Sequence, residues 1–172
     1  GGIAKPFRWV LGKVVSPNGL TPAWVREGIA VVEESANGRG RNNSSFSDMM
    51  LRTDILNKQF LHLDQISGLT NSWPAGNSAY IYGGAFWQYL HDKYGQFKMQ
   101  EFIERYGNSI WLFSLNNKAR KVYDKNFFKL YAEWKQSLVS KYEKQKSEVE
   151  AKGASELQDL KQYIKSTKEY GG

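Results

Sequence analysis

Two adjacent glycines stand in the middle of Ser78-Ala79-Tyr80-Ile81-Tyr82-Gly83-Gly84-Ala85-Phe86-Trp87-Gln88-Tyr89-Leu90, a stretch otherwise suited to a helix. Asn77 or Ser78 can cap its start, and Gly95 suits the left-handed residue that follows a helix ending near Tyr94. Each interior glycine costs such a helix about 1 kcal/mol relative to alanine. Close approach of another backbone, or of a ligand, is the usual offset. The pair therefore predicts that this helix is packed tightly against something.

A second helix begins at Thr21-Pro22, where threonine can accept from free N–H groups and proline fits the first helical position. In Trp24-Val25-Arg26-Glu27-Gly28-Ile29-Ala30-Val31-Val32-Glu33-Glu34 the residues Trp24, Glu27, Val31 and Glu34 fall on one face. That arrangement puts an acid between two large apolar side chains. Two readings follow from the residues. Glu27 can sit at the stripe's edge, paired with Arg26 or another surface cation, which is the commoner fate of an acid. Alternatively it is a carboxylate at the rim of a site, where a metal or a proton-transfer task makes burial tolerable. The residues alone favour the first.

The string Trp24-Val25-Arg26-Glu27-Gly28-Ile29-Ala30, followed by Glu34, resembles the second helix motif of the gluzincin clan of zinc metallopeptidases. Tyr80 and Gly83 are similar to that clan's aminopeptidase-like pattern Tyr-x-x-Gly, followed by an apolar run ending in Tyr-Leu, although Tyr82 is a second phenol in reach. The resemblance covers roughly residues 7–107. It implies that Glu27 is a zinc ligand, that the Tyr80 hydroxyl donates to the oxyanion formed during peptide hydrolysis, and that Glu34 orients a histidine ligand. A phenol suits the oxyanion task because it stays protonated at neutral pH and can donate to developing negative charge. The clan's other ligands and its general base come from an upstream His-Glu-x-x-His helix. The only histidines here are His62 and His91, downstream of Glu27 and outside any such motif.

The resemblance further implies a mainly α fold, an orthogonal multi-helix domain forming the helical half of a thermolysin-like or aminopeptidase-like peptidase. The expected division is a partial domain at 1–145 and a helical tail or linker at 146–172. The start at Gly1-Gly2-Ile3, with neither initiator methionine nor signal peptide, favours a piece of a longer protein whose metal-binding helix precedes Gly1. In that longer protein Zn²⁺ would be the cofactor and a peptide or protein the substrate. The family expectation adds export and a downstream β-propeller domain. Alone, the chain is expected to be inactive and to bind zinc weakly.

Composition narrows the alternatives. A chain of 172 residues, 41% hydrophobic and 15% aromatic, can bury a real core. No apolar run approaches the roughly 18 residues of a membrane span. The net charge of +7 is dispersed among acids rather than gathered in one block, so nucleic acid is a weak expectation. Without cysteine there is neither a disulfide framework nor a thiolate metal site. The competing reading is a non-catalytic helical module that binds a protein or nucleic acid, or serves as a scaffold.

Along the rest of the chain, residues 3–15 have the spacing of a short amphipathic helix. Residues 36–44 form a glycine-rich basic loop whose Arg39 and Arg41 can bind a substrate carboxylate or simply stay solvated. Residues 46–60 suit another helix, capped by Ser44, Ser45 or Ser47, with Met49 and Met50 as core filling. His62 reads as a structural residue, and 69–77 as a loop. A short helix over 97–106 closes at Gly107, an apolar turn follows at 110–115, and 116–122 adds another turn. Asp124 is a plausible cap for a long helix whose stripe Phe127, Phe128, Leu130, Tyr131, Trp134, Leu138 and Tyr142 should be core. Gly153 is expected to break that helix before a last amphipathic one.

Overall fold

The structure, a computed structural model, describes residues 21–36, 38, 40–67, 76–107 and 114–169, with 160 and 162–169 as backbone alone. The expected helix at 3–15 and most of the expected loop at 69–77 and turn at 110–115 lie outside these residues. What is described is a mainly α, multi-helix domain. Its helices are α1 (Ala23–Ser35), α2 (Ser45–Leu56), α3 (Ser78–Tyr94), α4 (Gln96–Gly107), α5 (Leu115–Tyr123) and α6 (Phe127–Glu169). A short 3₁₀ turn, Arg41–Asn43, precedes α2, and there is no strand among the described residues. Nor is any described helix long and apolar enough to cross a membrane.

The architecture grows from the packing of α1 on α3. A Cβ added to Gly28 would lie 2.6 Å from the carbonyl carbon of Gly83 and from Trp87 Cδ1, and one added to Gly83 would lie 2.7 Å from the Trp24 carbonyl oxygen. Gly84 is equally confined, with Val31 Cγ1 at 2.5 Å from its would-be Cβ. The expected tight contact is thus present, and the neighbour is the Glu27 helix. Hydrogen in place of a side chain lets the two backbones touch.

Around this crossing the core is mostly aromatic. Trp24 meets Phe127 edge-on with ring centroids 5.0 Å apart, and Trp87 and Phe127 both pack on Phe102, at 5.3 and 5.2 Å. A second group, Phe60, Tyr82, Tyr131 and Trp134, joins the first through Phe86. Rings at these distances gain edge-to-face contact beyond the area they bury. The first half of α6 therefore supplies aromatic wedges from Phe127 to Tyr142 on which the other helices rest.

Inside this core one polar pair is enclosed. The Tyr82 hydroxyl donates a short hydrogen bond to Asp54 Oδ2, joining α3 to α2, and both residues are buried. Burial first, and then the Asp54 hydrogen bond and charge, push the Tyr82 pKa well above the usual phenol range. Nearer the surface, Lys141 Nζ and the Tyr142 hydroxyl donate to Asp48 Oδ1 at 2.7 and 3.0 Å, fastening α6 to α2. Partial burial works against the Asp48 carboxylate, but those two bonds and the charges of Lys141 and Arg52 outweigh it and hold its pKa low.

Several local expectations are corrected. Thr21 does not cap α1: its hydroxyl lies 3.5 Å from the Tyr106 hydroxyl, and the Pro22 carbonyl receives the first helical N–H groups instead, so proline stands just before the helix. Asp124 ends α5 in the left-handed conformation (φ 58°), and Asn126 caps α6, its Oδ1 accepting from the Lys129 N–H. Met50 is core but Met49 is 39% exposed, because neighbours in a helix point about 100° apart and the buried face of α2 takes in Met50 and Leu51, leaving Met49 at its edge. Phe128 is 57% exposed beside buried Phe127 for the same reason. Gly153 breaks nothing: α6 runs 43 residues through it, since one glycine lowers helix propensity by about 1 kcal/mol but keeps helical geometry open. Of the three serines considered, it is Ser44 that caps α2, accepting from the Phe46 N–H.

Candidate functional site

The candidate site is assembled from both partners in the α1–α3 crossing and from the turn that follows α1. Glu27 precedes the crossing glycine Gly28, and Tyr80 lies one turn before Gly83. Closeness of the two backbones at Gly28 and Gly83 fixes how the motif-bearing turns of these helices sit against each other. Glu27 itself is half-buried, its side chain 24% exposed, and its Oε1 accepts from Arg26 Nε at 3.1 Å. The local pairing expected of an ordinary surface acid is therefore present.

After α1 the chain reverses through Gly38 and Gly40, both at positive φ, as glycine readily allows. The turn then folds back onto the end of α1. Ser35 Oγ accepts from the Asn42 N–H at 3.2 Å, the Ser35 carbonyl accepts from Asn43 Nδ2 at 3.0 Å, and Glu34 Oε1 accepts from the Arg41 N–H at 3.2 Å. The Arg41 guanidinium pairs with the same carboxylate (3.4 Å) and its carbon lies 4.9 Å from the centre of the Tyr80 ring. Glu34, Arg41 and Tyr80 are thus brought together, with the cation over the electron-rich ring face. Arg39 lies outside the described residues.

Between the two candidate phenols the packing discriminates. Tyr82 is fully buried and donates to Asp54, whereas Tyr80 is partly exposed under Arg41. Of the two, only Tyr80 is reached by solvent. Past the turn, an open groove of about 590 Å³ runs between α2, α3 and α6, with Asn42, Leu51, Gln88, Tyr89, Trp134 and Leu138 among its walls. His62 is exposed, its backbone N–H donating to Gln65 Oε1, and His91 Nδ1 lies 3.1 Å from Asp92 Oδ1.

Zinc makes a specific demand of its donors. Three ligands must converge to hold it in a catalytic site, and among the described residues no three His, Cys, Asp or Glu side chains do so. One half-buried carboxylate already paired with an arginine does not make a zinc site, so the donor set described here does not fit the metal on its own.

Two features went unnoticed in the sequence. Asn42, in a polar loop, carries no pattern that marks it, and its importance depends on which helix the loop meets. Asp54 left a trace, an acid between Leu51 and Ile55 on an apolar face, but its tyrosine partner is 28 residues away. In comparisons with known proteins, no family model, no curated protein and no solved structure matches this chain.

Proposed function

We propose that this chain is the helical half of a zinc-dependent peptidase of the gluzincin type, inactive alone and completed by metal ligands from a segment outside it. The observation that carries the reading is the Gly28–Gly83 contact. It joins the Trp-Val-Arg-Glu-Gly helix to the Tyr-x-x-Gly helix, the two elements on which the resemblance rests. In this reading Glu27 would be one carboxylate among the groups holding the metal, and Tyr80 would donate its hydroxyl to the oxyanion of the scissile carbonyl. Glu34 orients a histidine, and Arg41 faces the substrate from above the phenol. Zn²⁺ is the cofactor of the assembled enzyme and a peptide or protein its substrate; export and a propeller domain in the same polypeptide belong to the same proposal.

The experiment is to determine the residues encoded before Gly1 and express the longer polypeptide. It should contain His-Glu-x-x-His and hydrolyse peptides. Glu27→Ala should abolish hydrolysis, and Tyr80→Phe should lower kcat about 10²-fold or more, as removal of an oxyanion donor does. An upstream segment without the motif, or a Glu27→Ala protein as active as its parent, sinks the reading. The chain without that segment is expected to show no hydrolysis.

A second reading is favoured by the Arg26–Glu27 pair, which gives the acid an ordinary structural task. On it the chain is a silent helical scaffold or binding module, and the longer polypeptide hydrolyses nothing.

A further inference from the structure

We infer that Asn42 is the residue that positions the Arg41 guanidinium over the Tyr80 phenol; the phenol's catalytic task rests on the peptidase reading above, but the arrangement itself does not. Arg41 is 53% exposed, and a cation over a ring reached by solvent gains less than immobilising the arginine side chain costs. The stack and the long Glu34 pair are therefore too weak to hold the guanidinium by themselves. What brings it within reach of the ring is the backbone from which it springs.

Glu34 Oε1 and the Asn43 amide tie that backbone to α1, and the next residue, Asn42, ties it to α3 as well. The Asn42 N–H donates to Ser35 Oγ on α1, while its side-chain Nδ2 reaches across to α3 and donates to the Gly84 carbonyl at 3.1 Å and to Gln88 Oε1 at 3.4 Å. Tyr80, Gly84 and Gln88 occupy successive turns along one face of α3. Asn42 binds the second and third of these turns, and Arg41 covers the first. The amide thus sets the register of the 41–43 turn along α3, and with it the point where the guanidinium falls.

The glycine pair now divides its work. Gly83 admits the backbone of α1, whereas Gly84 admits both Val31 and this amide: a Cβ on Gly84 would lie 2.8 Å from Asn42 Oδ1. An amide suits this place, since its N–H groups can donate to both acceptors and the space left by the missing Cβ is short. Aspartate has the same shape but only acceptors when ionised, and would face the carbonyl with like polarity.

NMR of the present chain with ¹³C-labelled aromatic rings tests this, with the Tyr80 resonances identified by Tyr80→Phe. Nuclear Overhauser contacts between the Arg41 side chain and the Tyr80 ring are expected in the parent. They should be lost in Asn42→Ala and in Asn42→Asp, while contacts between the Trp24 and Trp87 rings, stacked 6.1 Å apart in the crossing, stay unchanged. Persistence of the Arg41–Tyr80 contact in either variant overturns the inference. So does its loss together with the Trp24–Trp87 contact, which would make Asn42 a general support of the fold. The readout needs no hydrolysis, so failure here leaves the peptidase reading standing, and failure of that reading leaves this result intact.

Discussion

Replacing Gly83 by alanine is expected to destabilise the protein by about 3 kcal/mol, the upper part of the usual range for an overfilled core. The new methyl would lie 2.7 Å from the Trp24 carbonyl oxygen and 3.1 Å from its Cα, both backbone atoms of a helix that cannot yield by turning a rotamer. Gly28→Ala meets the Gly83 carbonyl group and the Trp87 ring at 2.6 Å and should be at least as damaging. Urea unfolding followed by tryptophan fluorescence measures both. The internal control is Gly153→Ala, since nothing lies within 4 Å of that would-be Cβ and alanine is the better helix former. If Gly83→Ala were as stable as the parent, α1 and α3 would not be in backbone contact, and the structural basis of the proposed site would fail with it.

The next largest effect is expected at the enclosed polar pair. Tyr82→Phe keeps the ring, and so its contacts with Phe60 and Trp134, but removes the donor to Asp54. Hydrogen bonds to charged groups contribute about 1.5–3 kcal/mol. A loss of about 2 kcal/mol in urea unfolding at neutral pH is expected. Because the hydroxyl is enclosed by the core, Tyr82→Phe should leave the Arg41–Tyr80 stack untouched. By contrast, Tyr80→Phe should change stability by less than about 0.5 kcal/mol, as substitutions away from core features do. A Tyr82→Phe protein as stable as the parent would show that the phenol does not stabilise Asp54.

How much of this could be read from the chain depends on the range of the physics involved. Helices were legible where caps bounded an apolar run, as in α3, or where apolar periodicity ran unbroken, as in the first half of α6, and so was the close contact demanded by Gly83 and Gly84. Boundaries were less so. Thr21 looks like a cap until Tyr106, 85 residues away, offers its hydroxyl a partner. Asp124 looks like one until the α5–α6 corner requires a left-handed residue and Asn126 takes the capping role. For the site, Glu27 and Tyr80 stand out by spacing and resemblance, and Arg41 by its place in a basic loop. Asn42 does not, because its partners are a main-chain carbonyl and a glutamine on a helix more than 40 residues on. The choice between Tyr80 and Tyr82 likewise needed burial, which two tyrosines two residues apart in a helix do not reveal.

The unbroken course of α6 bears on how unfolding is observed. At about 1.5 Å per residue its 43 residues extend about 65 Å, yet among its described side chains the buried apolar ones end at Tyr142. Every tryptophan in the chain lies at or before Trp134. Far-ultraviolet ellipticity therefore sums every helix, α6 to its end included, while the emission of the buried indoles Trp24, Trp87 and Trp134 reports the core. A heating curve by the first signal should begin its decline earlier and slope more gently than one by the second. That disagreement between probes would report fraying of an unsupported helix rather than a partly folded form of the core.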